Sequence, residues 1–198
     1  MGPCGGSTPG HQYLEGPPDR GGPVRPRETV TMDVRIFPHR NAWRLETETR
    51  LPRPRAEVFP FFADCRNLER LTPPQLDFSI LRAPDEMEEG AIIDYRLRLH
   101  GIPFLWKTEI TGWQPPFSFV DVQRRGPYRR WEHEHLFLEE GDTTLMVDRV
   151  DFLAPGGKLV HERFVNEKVR GIFRYRAECF AELFAPVPAA VAPLERVA

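Results

Sequence analysis

Between Leu76 and Leu153 the chain offers six consecutive segments with strand-like patterning and no helical periodicity between them, which argues for an antiparallel meander. The segments are Leu76 to Arg82, Ala91 to His100, Phe104 to Trp113, Ser118 to Arg124, Arg130 to Glu139 and Thr143 to Leu153. Turn residues part them at Gly90, Gly101 to Pro103, Pro115-Pro116, Gly126-Pro127 and Gly141-Asp142. An earlier strand begins at Trp43, where Leu45, Thr47, Thr49 and Leu51 alternate with Glu46, Glu48 and Arg50.

Helical spacing occurs only at the two ends of this run. Val58, Phe61, Phe62 and Cys65, continued by Leu68 and Leu71, mark one face of a helix that Pro60 is expected to kink or split and Thr72-Pro73-Pro74 to stop. After Pro155-Gly156-Gly157, the residues Val165, Val169, Ile172, Phe173, Phe180 and Leu183 predict a long closing helix over Leu159 to Phe184, about 40 Å at ~1.5 Å per residue. The expected class is therefore α+β, with a sheet of about seven strands.

Residues 1–42 are Gly- and Pro-rich over most of their length, with few apolar side chains to offset ordering entropy, and are expected to form an unstructured leader. Residues 43–185 form the domain and 186–198 a loose tail. With 40% hydrophobic residues in a chain of 198, one core of ordinary size can be built. The formal net charge of -2 gives no reason to expect nucleic acid or an anionic membrane as partner, and no apolar run is long enough for stable membrane insertion. Cys4, Cys65 and Cys179 are widely separated and odd in number, which suits neither a disulfide framework nor a zinc knuckle and fits a reducing cytoplasm.

The order of strand, short helices, six-stranded meander and long C-terminal helix resembles the START-like, or SRPBCC, superfamily with its helix-grip fold. Local text adds to this: Arg66-Asn67-Leu68-Glu69-Arg70-Leu71-Thr72-Pro73-Pro74, Gly101-Ile102-Pro103, Trp113-Gln114-Pro115-Pro116-Phe117, and Gly126-Pro127-Tyr128 followed by Trp131, His133 and His135. Together these are similar to bacterial ligand-binding SRPBCC proteins of the cyclase/dehydrase-like type, over roughly Trp43 to Phe184. The resemblance implies a curved antiparallel sheet gripping the last helix, with a cavity between them for a lipid-, quinone- or polyketide-like molecule. Pro60 departs from the uninterrupted first helix usual in that superfamily.

Strand periodicity suggests what lines such a cavity. Ile93, Tyr95, Leu97 and Leu99 share one face, as do Trp106, Thr108 and Ile110 on the next strand, so these point inward. Two strands carry polar residues on the same face: Phe119, Asp121 and Gln123, then Trp131, His133, His135 and Phe137. A three-residue loop at Gly126-Pro127-Tyr128 sets Asp121 opposite His133 and Gln123 opposite Trp131. A two-residue loop at Glu140-Gly141 would set His133 opposite Asp148 and His135 opposite Met146. Asp121, His133 and Asp148 are thus expected as a carboxylate, imidazole, carboxylate row across three strands.

Three roles are open to that row: mutual satisfaction of buried polar groups, recognition of a polar group on a ligand, and acid-base chemistry with His133 as the acid-base residue oriented by Asp121 or Asp148. Tyr95, Leu97, Trp106, Phe119, Gln123, Trp131, His135, Phe137 and Phe173 complete the expected ligand-binding set, with Phe104 a further aromatic candidate. Arg124, Arg125, Arg129 and Arg130 flank the Gly126 turn as a solvated loop or as a guide for an anionic ligand. His133, His135 and Asp121 have the residue types of a facial metal triad, but no further His or Cys is placed to close the shell, so no metal is expected. No nucleotide-loop, dinucleotide or serine-hydrolase motif is present, and no cofactor is expected. The leading reading is a module that binds a mostly hydrophobic small molecule; a cyclase/dehydratase-type enzyme and a protein-interaction module are the rivals.

Overall fold

The computed structural model describes residues 30, 32–99 and 101–185. Eight antiparallel strands form one sheet in the order β1-β2-β8-β7-β6-β5-β4-β3. They are β1 (Met32–His39), β2 (Ala42–Leu51), β3 (Ser79–Arg82), β4 (Ile92–Leu99), β5 (Ile102–Gln114), β6 (Ser118–Arg125), β7 (Arg130–Glu140) and β8 (Thr143–Leu153). The meander expected from Leu76 onward is present, with its first strand shortened to β3. The sheet bends along β5, where the register against β6 shifts at Lys107/Thr108 and again at Ile110/Gly112. Extra residues on one strand of a pair turn it and increase its twist, which converts a flat ladder into a cup.

The sheet has one strand more than expected. Met32–His39 lies inside the stretch assigned to an unstructured leader, yet it is an edge strand paired with β2 from Met32↔Thr49 to His39↔Ala42. Met32, Val34 and Ile36 are half-buried while Asp33 and Arg35 are exposed, the alternation of a one-sided strand. Arg40 turns the hairpin in a left-handed conformation, φ 52°. Arg170 of the closing helix donates to the Val34 carbonyl, tying this edge to the helix. The remainder of the leader, residues 1–29, and the tail, residues 186–198, lie outside the described residues.

The helix α1 (Arg55–Ala63) contains Pro60 and ends soon after it. The chain continues as two 3₁₀ turns, Cys65–Glu69 and Pro74–Leu76, so the apolar face read to Leu71 is carried by separate pieces. Asp64 accepts from the Arg66 N–H at the first of these turns, and Asn67 donates to the Phe61 carbonyl, closing the break. The C-terminal helix is built from α2 (Gly157–Val160), a π-helical segment His161–Val165 and α3 (Asn166–Leu183) in direct succession. His161 is fully buried and accepts from the Ala154 N–H at 2.8 Å, anchoring the π-helical segment to the end of β8.

Two apolar clusters hold this helix in the sheet. One gathers Leu51, Val58, Phe59, Leu71, Ile110, Phe119, Phe137, Met146 and Phe180 at the α1 end. The other gathers Leu45, Val150, Phe152, Val169 and Phe173. Between them each inward face turns polar: Leu45, Thr47, Thr49, Leu51 on β2; Trp131, His133, His135, Phe137 on β7; Met146, Asp148, Val150 on β8. Among the described residues no helix is long and apolar enough to cross a membrane.

Candidate functional site

A cavity of about 140 Å³ lies between the sheet, α1 with its 3₁₀ turns, and α3. Ile93, Tyr95, Leu97 and Leu99 from β4 and Trp106, Thr108 and Ile110 from β5 line it, as the period of two demands. Phe61, Phe62, Leu68 and Leu71 cover it from the helical side, and Ile172, Phe173, Arg176 and Phe180 from α3. Its wall is largely aromatic and aliphatic, with Asp64, Cys65, Tyr95, Tyr128 and Arg176 among its polar residues, and four of its titratable groups, Asp121, His133, His135 and Asp148, come together at one place.

That place is built by register. β6 and β7 pair Asp121↔His133 and Phe119↔His135, as the Gly126 loop predicts. The β7–β8 register differs from expectation by two residues: the pairs are His133↔Val150 and His135↔Asp148. The physical reason is the position of the turn. Gly141 takes a positive φ of 63°, so Gly141-Asp142 rather than Glu140-Gly141 forms the two-residue loop. A slip of two keeps every side chain on its face, so Asp148 still points inward but stands opposite His135. Thr47 of β2 pairs with Asp148 from the other side.

The row is consequently a cluster of four. Asp148 Oδ1 is 3.0 Å from both His133 Nε2 and His135 Nδ1. Asp121 Oδ2 is 3.1 Å from His135 Nε2 and 3.6 Å from His133 Nδ1. The Thr47 hydroxyl donates to Asp148 Oδ2 at 3.0 Å. The imidazole rings lie with centroids 3.7 Å apart, and Phe119 stacks on His135 at 4.0 Å. His135 Nδ1, despite its 3.0 Å approach to Asp148, lacks the alignment of a hydrogen bond and is buried.

Opposed effects set the charges. Burial favours the neutral form of both carboxylates, yet Asp148 is held far below the usual carboxylate range by the His133 hydrogen bond and by the close approach and charge of His133 and His135. Asp121 is lowered against the same burial cost by His135, His133 and, more distantly, Arg176. The histidines part company: burial and the neighbouring His135 push His133 down, whereas for His135 the two carboxylates together outweigh burial and raise it. Two adjacent imidazoles thus prefer different protonation states. Tyr95 and Tyr128, also on the wall, are pushed upward mainly by burial and remain phenols.

No protein-family model matches the chain, and none of the curated protein sequences does. Solved structures do. TTHA0849 from Thermus thermophilus superposes with a TM-score of 0.57 at 14% identity, over 70% of this chain and 94% of that one. The ZhuI aromatase/cyclase from Streptomyces sp. R1128 gives 0.56 at 14% identity, over 71% and 92%. A START superfamily protein from Mycobacterium smegmatis gives 0.54 at 12% identity, over 71% and 98%. The chain has the START-like helix-grip fold. The grip consists of the cupped sheet closing on α3.

Of the residues expected at a ligand, Tyr95, Leu97, Trp106, Phe119, Asp121, Trp131, His133, His135, Asp148 and Phe173 line the helix-grip cavity. Gln123 and Phe137 do not. The Gln123 amide bonds across the turn to Tyr128, donating to its carbonyl at 2.6 Å, and Phe137 is wholly buried in the apolar cluster against Phe59 and Phe62. Phe104 is likewise absent from the wall. Tyr128 and Arg176 line the cavity without being expected there, and Thr47 joins the polar cluster through Asp148. Thr47 is readable from its position on the inward face of β2, but Arg176 is not, since a charged residue on a helix normally signals the solvent side.

Proposed function

We propose that the protein binds a mostly apolar small molecule in this cavity and recognises a polar group on it through the Asp121, His133, His135, Asp148 cluster. The observation that carries the reading is the contrast on the wall: a compact cluster of two carboxylates and two imidazoles, buried or nearly so, in a largely aromatic and aliphatic pocket. A pocket of this kind gains affinity from apolar burial and orientation from a few placed polar groups. Arg176 reaches the same wall, over the Phe173 ring at 5.0 Å, and suits a ligand group with partial negative charge. The ligand class is lipid-, quinone- or polyketide-like, and the free Cys65 and Cys179 suit a reducing cytoplasm.

Native mass spectrometry of the full chain purified from cells tests this: an added non-covalent mass retained in the gas phase is expected. Leu97→Phe, which fills part of the pocket, should lose that mass while shifting Tm by no more than about a degree or two. Retention of the same mass by Leu97→Phe would place the molecule elsewhere.

A second reading has its own observation. Two adjacent histidines with pKa values driven apart form an acid and base pair in the way catalytic sites do, and one structural neighbour is an aromatase/cyclase. In that reading His133 takes a proton and His135 donates one to a developing oxyanion. His133→Gln separates the two. Binding alone predicts an affinity loss of about 1–3 kcal/mol. Catalysis predicts near-normal binding with turnover slowed by about 10²–10⁴.

A further inference from the structure

We propose that Asp121, His133 and His135 also form a binding site for one divalent first-row transition metal ion, with Asp148 as the outer carboxylate that orients both imidazoles. One donor atom from each of the three residues lies within 4.8 Å of the other two. Asp121 Oδ2 stands 3.1 Å from His135 Nε2 and 3.6 Å from His133 Nδ1. Two ligand atoms each ~2.1 Å from a common metal, at angles of roughly 90–110°, lie about 3.0–3.4 Å apart. The donors are close enough to share one ion once the two imidazoles, with centroids 3.7 Å apart, turn their near nitrogens toward it.

The opposite edges of the rings supply an independent observation. His133 Nε2 and His135 Nδ1 both lie 3.0 Å from Asp148 Oδ1, whose other oxygen is held by Thr47. A carboxylate behind each histidine is the usual outer shell of a metal site, because it holds the N–H on the far nitrogen and leaves the lone pair of the near one facing the ion. His135 Nδ1 is buried without an aligned partner, and the ring rotation that turns Nε2 toward an ion also changes the angle at which Nδ1 meets Asp148.

Charge agrees with geometry. Two carboxylates and two neutral imidazoles around a dication sum to zero, which a buried site tolerates far better than an uncompensated charge. Two imidazoles and one carboxylate suit iron, cobalt, nickel or zinc in the divalent state rather than calcium or magnesium. Three protein ligands on one side leave coordination positions open, and all three residues line the apolar cavity, so a ligand oxygen can reach the ion.

The test is titration of the chelator-treated full-length chain with Co²⁺, read by visible absorption, followed by Zn²⁺ displacement. One equivalent should bind with micromolar or tighter affinity, and Zn²⁺ should shift the side-chain ¹⁵N resonances of two histidines. Asp121→Asn and His135→Gln, with fold checked by circular dichroism, should each abolish stoichiometric uptake. Asp148→Asn should weaken it by ~10–100-fold. Glu134→Gln, on the outward face of β7, should change nothing. A folded wild type that takes up no Co²⁺, or uptake that persists in folded Asp121→Asn and His135→Gln, overturns the proposal. Apolar-ligand binding by the metal-free protein is a separate readout and is unaffected by either result.

Discussion

Asp148 is the most constrained side chain of the cluster, fully buried and in contact with Thr47, His133 and His135. Its charge is compensated only inside the cluster. Replacing it with Asn keeps the volume but removes one of the two carboxylates that face the imidazoles, and breaking a buried charge pair of this kind costs about 3–5 kcal/mol. Urea denaturation at neutral pH should show a loss of that size. The histidines give the stability a pH signature in the metal-free protein. His133, lowered in the fold, contributes stability that is present above the unfolded value of about 6.5 and is lost as pH falls below it. His135, raised in the fold, contributes stability that is present below about 6.5 and is lost as pH rises through its folded value. The two place a maximum near pH ~6.5. His133→Gln should flatten the acid flank and His135→Gln the alkaline flank in a series of urea melts; a wild-type profile without those flanks would refute the assignment. Asp121 and Asp148, both lowered, add a further loss as pH falls below about 4.

At the scale of elements, parity explains what the sequence can say about the site. Period-two alternation assigns a face to each residue, and a face survives any even slip in register. Asp121, His133 and Asp148 therefore share one interior surface in both readings, even though Asp148 stands opposite His135. The slip itself depends on which residue of Glu140-Gly141-Asp142 begins the turn, a choice decided by the positive φ of Gly141. β1 is hidden for a different reason. Its alternation of Met32, Val34 and Ile36 is short and ends in Pro38, and it follows a long Gly/Pro-rich run whose composition dominates the segment. The edge strand should matter to stability. A chain beginning at Val30 should melt within about a degree or two of full length, whereas deletion through Asn41 uncovers the β2 edge and removes the acceptor of Arg170, and should lower Tm by about 5–15 °C. Equal melting temperatures for the two truncations would show that β1 contributes nothing.

Across the whole molecule, the fold acts as a device for putting charge in a dry place. The apolar clusters at the two ends carry the packing, and the register shifts of β5 cup the sheet so that the polar belt between them faces a cavity instead of the helix. Four titratable groups are then held at a spot where water is largely excluded and where each is satisfied chiefly by the others. Chain order gives the α+β class with a meander and a closing helix, and the grip of the sheet on that helix, with a cavity between them, enters through the resemblance to SRPBCC proteins. The cavity's extent is not readable from the sequence, since it depends on how α1 breaks after Pro60 and on which α3 residues, Arg176 among them, swing inward.

The central claim, that the cluster selects a polar group on an apolar ligand, is tested most directly by comparing 1-naphthol with naphthalene in calorimetric titrations of metal-free wild type and His133→Gln. Wild type should bind the alcohol more tightly than the hydrocarbon by about 1–3 kcal/mol, and His133→Gln should lose most of that difference while binding naphthalene unchanged. Equal affinity of wild type for the two compounds, or a preference for 1-naphthol that His133→Gln leaves intact, would contradict it.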